Sequence, residues 1–148
     1  MTKGQKLLAF QECFSRSVGT FKNGEWLNAT MTELVACLST GKGTWGHVNR
    51  LIDDIQWDKV ILFTNAYGKE NFTANAKTEV IVIDPEQGLK ELRDVMFNEL
   101  KAKVKSAEIA VNFISGTGRE HMALMSAALR LGVGVRLMAL TKEGAEEI

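Results

Sequence analysis

Residues 109–140 read IAVNFISGTGREHMALMSAALRLGVGVRLMAL. A mainly apolar run at 109–114 leads into a loop of small polar residues, and a second mainly apolar run follows at 135–140. Between them lies a helical pattern whose apolar positions are Met122, Met125 and Leu129. Glycine is the usual residue just past a helix, so this helix should stop at Gly132 or Gly134. Apolar runs without alternation are typical of parallel strands covered on both faces, so the segment predicts a strand, a helix and a second strand.

The same alternation occurs upstream, where apolar runs at 34–38, 60–64 and 80–83 predict three more strands. A helix is predicted between the first two, with a buried stripe of Trp45, Val48, Leu51, Ile52 and Ile55. Residues 65–77 look like a polar loop. Strands that alternate with helices predict an α/β protein with an open, mainly parallel sheet and helices on both faces, which is a Rossmann-like architecture.

The third run stops at Asp84-Pro85, a pair that suits the start of a helix. We expect Asp84 as its N-cap and Pro85 in its first turn. The helix should continue to about Lys105, with a buried stripe of Leu89, Leu92, Met96, Leu100 and Val104. After the fifth run, the charged tail 141–148 is expected to fray.

Residues 1–31 do not follow the alternation and are predicted to form an N-terminal extension to a Rossmann-like domain at 32–148. Asn23-Gly24 is a strong signal for a type I′ hairpin, which would place Phe21 opposite Trp26. Residues 7–14 suit a strand or a helix, and the sequence does not decide between them.

Composition and charge disfavour a duplex-DNA-binding protein, a secreted protein and a membrane protein. The 148 residues hold 18 basic and 18 acidic side chains, and zero net charge disfavours a sequence-independent grip on duplex DNA. It leaves room for a small anion held by a few local cations. The sequence has neither a signal-peptide pattern nor an apolar run long enough for a membrane span, and Cys13 and Cys37 lack metal-ligand spacing. We expect a cytoplasmic protein with reduced cysteines and neither a metal nor a cofactor.

Two loops carry the candidate binding chemistry. Ligands of an open parallel sheet bind outside the carboxyl ends of its strands. STGKGT follows the first strand and SGTGR follows the fourth, and both open directly into a predicted helix. Small residues, hydroxyls and a cation at a helix start favour a phosphate-bearing ligand. The candidate contacts are Ser39, Thr40, Gly41, Lys42 and Gly43 in the first loop, and Ser115, Gly116, Thr117, Gly118 and Arg119 in the second.

Each candidate also has an ordinary structural explanation. Residues 41–46 have Gly-x-Gly-x-x-Gly spacing, yet Thr64-Asn65 stands where a dinucleotide site needs an acidic residue, so a plain glycine turn explains the first loop equally well. Lys42 either contacts phosphate or is solvated. Arg119 opposes the helix dipole unless it holds an anion. Ser115 and Thr117 suit helix caps as well as phosphate contacts.

Polar side chains beside the loops add smaller candidates. Asn112 lies inside an apolar strand and must find hydrogen-bond partners, so it is expected to pin the two loops or to touch the ligand. Asn65 and Tyr67 follow the second strand and are candidate base contacts. His47 and His121 each follow a glycine loop, and both are expected to be surface histidines without a role.

The segment NFISGTGREHM at 112–122 resembles the motif of the CARF family, the CRISPR-associated Rossmann-fold sensors of cyclic oligoadenylates. That motif is an apolar strand with Asn, then Ser/Thr-Gly-Gly-Thr-Lys/Arg, then a helix that begins near a Met. In this chain the second Gly and the Thr are exchanged, and Asn112 stands one residue further from the loop. The resemblance covers roughly residues 33–140.

The resemblance implies a stand-alone sensor that binds cyclic tetra- or hexa-adenylate across the two-fold axis of a homodimer. Some family members are ring nucleases, which cut the ring by metal-independent attack of its own ribose 2′-OH. The residues that it implies for that reaction are Ser39, Thr40, Lys42 and Arg119. Both readings, binder and nuclease, stay open. The alternative is a Rossmann-like enzyme or binding module for a mononucleotide or dinucleotide.

Overall fold

The computed structural model describes residues 20–22, 25–27, 33–38 and 41–148, and the chain divides into the units Met1–Met31 and Thr32–Ile148. In the first unit, strands β1 (Thr20–Lys22) and β2 (Glu25–Leu27) pair antiparallel, with Phe21 opposite Trp26 in the register. The predicted hairpin pairing is therefore present. Its turn at Asn23-Gly24 and the undecided segment 7–14 lie outside the described residues.

The second unit contains one six-stranded sheet with the strand order β5-β4-β3-β6-β7-β8. Neighbouring strands are parallel except for the antiparallel pair β7 and β8. This confirms the α/β, mainly parallel, Rossmann-like fold. The elements in chain order are β3 (Glu33–Cys37), α1 (Trp45–Asp54), β4 (Lys59–Thr64), α2 (Ala66–Asn71), β5 (Thr78–Val82), α3 (Leu89–Lys103), β6 (Glu108–Asn112), α4 (Gly118–Leu131), β7 (Gly134–Thr141) and β8 (Gly144–Glu147).

Helices cover the sheet on both faces. Alternate residues of each strand point to opposite faces, and both sets are apolar, so each face packs against helices. Val35 and Cys37 of β3 belong to a core shared with α3 and α4, whereas Leu34 and Ala36 belong to a core shared with α1. All four are essentially inaccessible to solvent. Burial on both faces explains why these strands are apolar without alternation.

The connections reverse direction between β3 and β6. From β3 the chain moves outward to β4 and β5, crosses back to β6 on the other side of β3, and continues to β7. In an open sheet, the carboxyl ends of the two strands at such a reversal flank a crevice in which ligands bind. Both glycine loops lie there, because one follows β3 and the other follows β6.

The start of α3 corrects one prediction. Asp84 is not the N-cap of this helix, which begins at Leu89 after Gly88 and ends at Lys103 rather than near Lys105. The Asp84 carboxylate instead accepts a hydrogen bond from the backbone amide of Glu86 at 2.9 Å. Because the Asp84 carboxylate is bonded within this local turn, it cannot cap the helix, and the helix begins further along the chain.

Two segments predicted to lack regular structure are ordered. Residues 65–77 contain α2, whose N-cap Asn65 accepts a hydrogen bond from the amide of Gly68 at 2.9 Å. The tail forms β8 rather than fraying, since Gly144 has the left-handed φ of +119° that a tight turn after β7 requires. Pairing with β7 satisfies the backbone hydrogen-bonding groups of the tail, although its charged composition suggested a disordered end.

The buried stripe of α4 also differs from the prediction. Met122 and Leu129 are 62% and 66% exposed. The face of α4 that packs on the sheet and α3 consists of Ala123, Leu124, Ala127 and Ala128. Alanines let the helix backbone approach its neighbours closely, so the larger apolar side chains are left on the outside.

Glu33, at the start of β3, holds the connection between α3 and β6. The side chain is buried, and its carboxylate accepts hydrogen bonds from the amides of Lys105 and Ser106 at 2.9 and 3.0 Å. Glu33→Ala is expected to lower the free energy of unfolding by about 2 kcal/mol, because two partly buried hydrogen bonds to a charged acceptor are lost. Urea denaturation measures the change, with Glu70→Ala on exposed α2 as the control. Equal midpoints for the two variants would contradict this role.

Candidate ligand-binding site

The two glycine loops contact each other at the carboxyl edge of the sheet. A 3-10 turn, Lys42–Thr44, leads from the first loop into α1, and residues 115–117 lead from β6 into α4. The Thr44 hydroxyl donates a hydrogen bond to Ser115 Oγ at 2.8 Å. The two loops, which are far apart in the sequence, are therefore in contact and lie side by side at this edge of the sheet. Ser39 and Thr40 lie outside the described residues.

Asn112 fixes the second loop to the neighbouring strand. Its side chain is buried, and its amide nitrogen donates to the carbonyl of Met138 on β7 at 2.8 Å. Its amide oxygen accepts from the backbone N–H of Ile114 at 3.1 Å. These bonds satisfy the buried polar group that the sequence indicated, and they join the loop to β7 rather than to the first loop.

Gly116 is required by the shape of the second loop. Its φ of +107° lies in the region that favours glycine. A Cβ at this position would lie 2.9 Å from both Cys37 Cβ and Glu120 Oε2, and 3.0 Å from His121 Nε2. The backbone therefore passes between these three side chains at a distance that only glycine permits.

A capping box begins α4. The Thr117 hydroxyl accepts from the amide of Glu120, and the Thr117 amide donates to Glu120 Oε2 at 2.7 Å. Thr-x-x-Glu at 117–120 is the sequence signal of this motif, and Glu120 is a site residue that this signal could have identified. The first amides of the helix, those of Gly118 and Arg119, have no acceptor within the helix. They and the helix dipole make this end electropositive.

Gly43 and Gly118 have no evident structural reason to be glycine. Neither has a left-handed φ, and a Cβ on either would meet no atom of the described residues within 4 Å. Both are exposed, one in the 3-10 turn and one at the first position of α4. Glycine at such positions leaves the backbone open to close approach by another molecule.

The two candidate cations, Arg119 and Lys42, reach different neighbours. The Arg119 guanidinium donates to the carbonyls of Pro85 and Gln87 at 2.8 and 2.6 Å, in the segment that precedes α3. A guanidinium carries five N–H donors, so three are left for other partners. Lys42 is exposed, and its Nζ lies 5.9 Å from the centre of the Trp45 ring. The described structure therefore does not bring the two cations onto one shared partner.

Asn65 and Tyr67 lie at the carboxyl end of β4, beside the first loop. Asn65 caps α2, while Tyr67 is exposed and its ring centre is 6.2 Å from that of Trp45. The Thr64 hydroxyl donates to the carbonyl of Leu38 at 3.2 Å, which ties this corner to the end of β3. Tyr67 extends the candidate surface sideways from the two loops, whereas Trp45 beneath it is buried.

One histidine was misjudged from the sequence. His121 Nε2 lies 2.7 Å from the carbonyl oxygen of Ser115, and its ring centre is 5.0 Å from that of Phe113. It is partly buried and holds the second loop, so the expectation of a surface histidine without a role is wrong. The motif Ser-x₅-His carries no recognised signal in a single sequence. His47 is exposed on α1.

Cys37 lies behind the second loop. Burial raises the pKa of its thiol, and the nearby charge of Glu120 raises that pKa further. The thiol therefore stays protonated at neutral pH and is a packing group rather than a nucleophile.

A thiol titration tests this conclusion. In a Cys13→Ser variant, Cys37 is expected to react with an aromatic disulfide reagent at pH 8 at least about a hundredfold more slowly in the native protein than in urea, since only the exposed thiolate reacts. The double variant without cysteines is the blank. Comparable native and unfolded rates would contradict the buried, protonated thiol.

No group of three His, Cys, Asp or Glu side chains in residues 33–38 and 41–148 is arranged to hold a metal ion. No helix of the described chain is long and apolar enough to cross a membrane.

No family model matches this chain, and no curated protein is significantly similar to it.

Proposed function

We propose that this protein binds a cyclic oligoadenylate in the crevice beyond β3 and β6 and acts in type III CRISPR signalling. The observation that carries the proposal is the 2.8 Å contact between Thr44 and Ser115, because it makes one surface of two loops that each suit an anion. That surface lies at the reversal of strand order, where open α/β sheets bind ligands. The resemblance of residues 112–122 to the CARF motif supplies the identity of the ligand.

The chemistry of the surface suits phosphates. The amides of Gly118 and Arg119 begin α4 beside the open space at Gly118, so a phosphate has room to reach them. Lys42 is exposed on the first loop and adds a positive charge. Arg119 has donors left after its two carbonyl bonds, and a bond from guanidinium to phosphate is roughly twice as strong as a neutral one.

A homodimer forms part of the proposal, because a ring bound across a two-fold axis contacts two copies of the same loops. Support comes from the outer face of α4, where Met122 and Leu129 are large, apolar and exposed. Beside them is a groove of about 640 Å³ whose lining includes Phe113 and Met125. Clustered exposed apolar residues of this kind commonly mark an interface.

The proposal extends to cleavage of the ring. Attack by a ribose 2′-OH on the adjacent phosphate needs no metal; it needs in-line positioning and stabilisation of the developing negative charge. Ser39, Thr40, Lys42 and Arg119 are the proposed catalytic residues. The 2′-oxygen would bond to phosphorus as the bond from phosphorus to the 5′-oxygen breaks, and the proton lost by the 2′-OH would be balanced by one taken up at the 5′-oxygen. The product would be a linear adenylate with a 2′,3′-cyclic phosphate at one end and a 5′-OH at the other.

The decisive experiment incubates the protein with labelled cyclic tetra- and hexa-adenylate in the presence of EDTA and resolves the products. Linear products identify a ring nuclease, whereas an intact ring with a shifted mobility identifies a binder. Arg119→Ala and Ser39→Ala should each depress cleavage, and Arg50→Ala on the exposed face of α1 should not. If neither ring binds, the proposal is wrong.

A second candidate is a protein that binds a mononucleotide or a dinucleotide. It is favoured by the Gly-x-Gly-x-x-Gly spacing at 41–46, because this loop follows a central strand of the sheet and opens into α1. At the end of β4, however, Thr64 is buried and bonded to Leu38 where an acidic ribose contact would be needed. A thermal shift with NAD or FMN and none with either ring would favour this candidate.

A further inference from the structure

Ser115 joins two parts of the candidate site that are distant in sequence. It is only 1% exposed. Its hydroxyl oxygen accepts a hydrogen bond from Thr44, and its carbonyl oxygen lies 2.7 Å from His121 Nε2. One buried residue therefore contacts the first loop through its side chain and α4 through its backbone.

The Thr44 hydroxyl is committed to this long-range contact. Thr44 occupies the N-cap position of α1, where a threonine hydroxyl ordinarily accepts a bond from an amide of its own helix. All of α1 is described, and no such capping bond to it is made. The hydroxyl instead donates to Ser115, which is 71 residues away in the chain.

The His121 ring is held on the other side of Ser115. A carbonyl oxygen only accepts, so Nε2 carries the proton of this bond. Phe113 packs against the ring. The Gly116 backbone also passes so close to the ring that a methyl group on Gly116 would crowd Nε2. The bond therefore has one geometry, fixed by its neighbours.

We infer that Thr44 and His121 are positioning residues that hold the two loops as one unit through Ser115, so that a displacement of either loop displaces the other. The effect of this coupling on ligand affinity rests on the proposed function, whereas the coupling between the loops does not. A single net hydrogen bond corresponds to about a three- to tenfold change in the population of a displaced loop.

Amide hydrogen exchange of the unliganded protein, followed by NMR, tests the coupling directly. Thr44→Val is expected to raise exchange at 115–118 about fivefold, and His121→Leu is expected to raise it at 42–46 by a similar factor. Two conservative variants should restore wild-type exchange. Thr44→Ser keeps the hydroxyl, and His121→Gln places an N–H donor the same number of bonds from Cβ as Nε2.

Matched controls separate the coupling from general loosening. His121→Asn is too short to reach Ser115 and should behave like His121→Leu. His47→Leu removes an exposed histidine on α1 and should leave exchange at 115–118 unchanged. If Thr44→Val and His121→Leu each affect only their own loop, or if His121→Gln fails to restore exchange at 42–46, the inference is overturned.

A double-mutant cycle with cyclic tetra-adenylate extends the test to binding. Each single variant should weaken binding about fivefold. The loss of affinity in the double variant should be clearly smaller than the product of the two single losses, because either substitution alone already uncouples the two loops. Full additivity would overturn the link between coupling and affinity. If the wild type binds neither ring, the proposed function fails, while the exchange measurement still decides whether the loops are coupled.

Discussion

Gly116→Ala is expected to lower the free energy of unfolding by about 3 kcal/mol and to abolish ligand binding. A residue with a Cβ at a left-handed φ costs about 1–3 kcal/mol, and crowding in a packed site adds a similar amount. Both costs apply at Gly116, where φ is +107° and the added methyl would lie 2.9 Å from Cys37 Cβ and from Glu120 Oε2. Relief of this crowding must distort the second loop.

Urea denaturation measures the loss, and Gly118→Ala is the matched control two residues away. Gly118 has neither a left-handed φ nor a neighbour within 4 Å of its virtual Cβ among the described residues, and it begins a helix that favours alanine. The control should therefore stay within about 0.5 kcal/mol of the wild type. Equal stabilities of the two alanine variants would refute the role assigned to Gly116.

Gly118→Asp is expected to weaken binding of cyclic tetra-adenylate at least about a hundredfold, or ~2.7 kcal/mol, while leaving stability unchanged or slightly higher. The two effects have opposite signs because an aspartate at the start of α4 suits the helix dipole but repels a phosphate. A like charge about 4 Å away costs about 4 kcal/mol near a protein surface. The side chain would also fill the open space beside the amides of α4.

Fluorescence polarisation of a labelled ring measures the affinity, and thermal denaturation measures the stability. Gly118→Asn is the control of matched size without charge, and its loss of affinity should be clearly smaller. If the aspartate and asparagine variants bind equally well, phosphate does not lie against the first turn of α4, and the proposed position of the ligand is wrong.

The sheet was predictable because burial on both faces leaves a strong signal in the sequence. The runs at 34–38, 60–64 and 109–114 each correspond to a strand, and the glycine loops between strand and helix mark the edge of the sheet that carries the candidate site. Such patterns are local, so one sequence contains them. The boundaries of α3 were harder to predict, since Asp84 suits both an N-cap and the turn that it forms.

The partners of Arg119 and His121 were not predictable, because they depend on how the chain folds back on itself. Arg119 bonds to carbonyls more than thirty residues upstream in the chain. His121 contacts Ser115 only because Gly116 lets the loop fold back towards the helix. The face of α4 was equally ambiguous, since both its alanines and its methionines recur at helical spacing, and only packing against α3 and the sheet selects the alanines.

The pairing of β3 with β6 also determines when the site can form. Thr44 and Ser115 are 71 positions apart, and the segment between them includes β4, α2, β5 and α3, which must be synthesised before β6 can pair with β3. Long-range parallel pairing is slow, because the entropy of closing the loop is lost before the contacts are gained. The two contacting loops therefore come together late in folding, and a nascent chain that ends before β6 carries only the first of them.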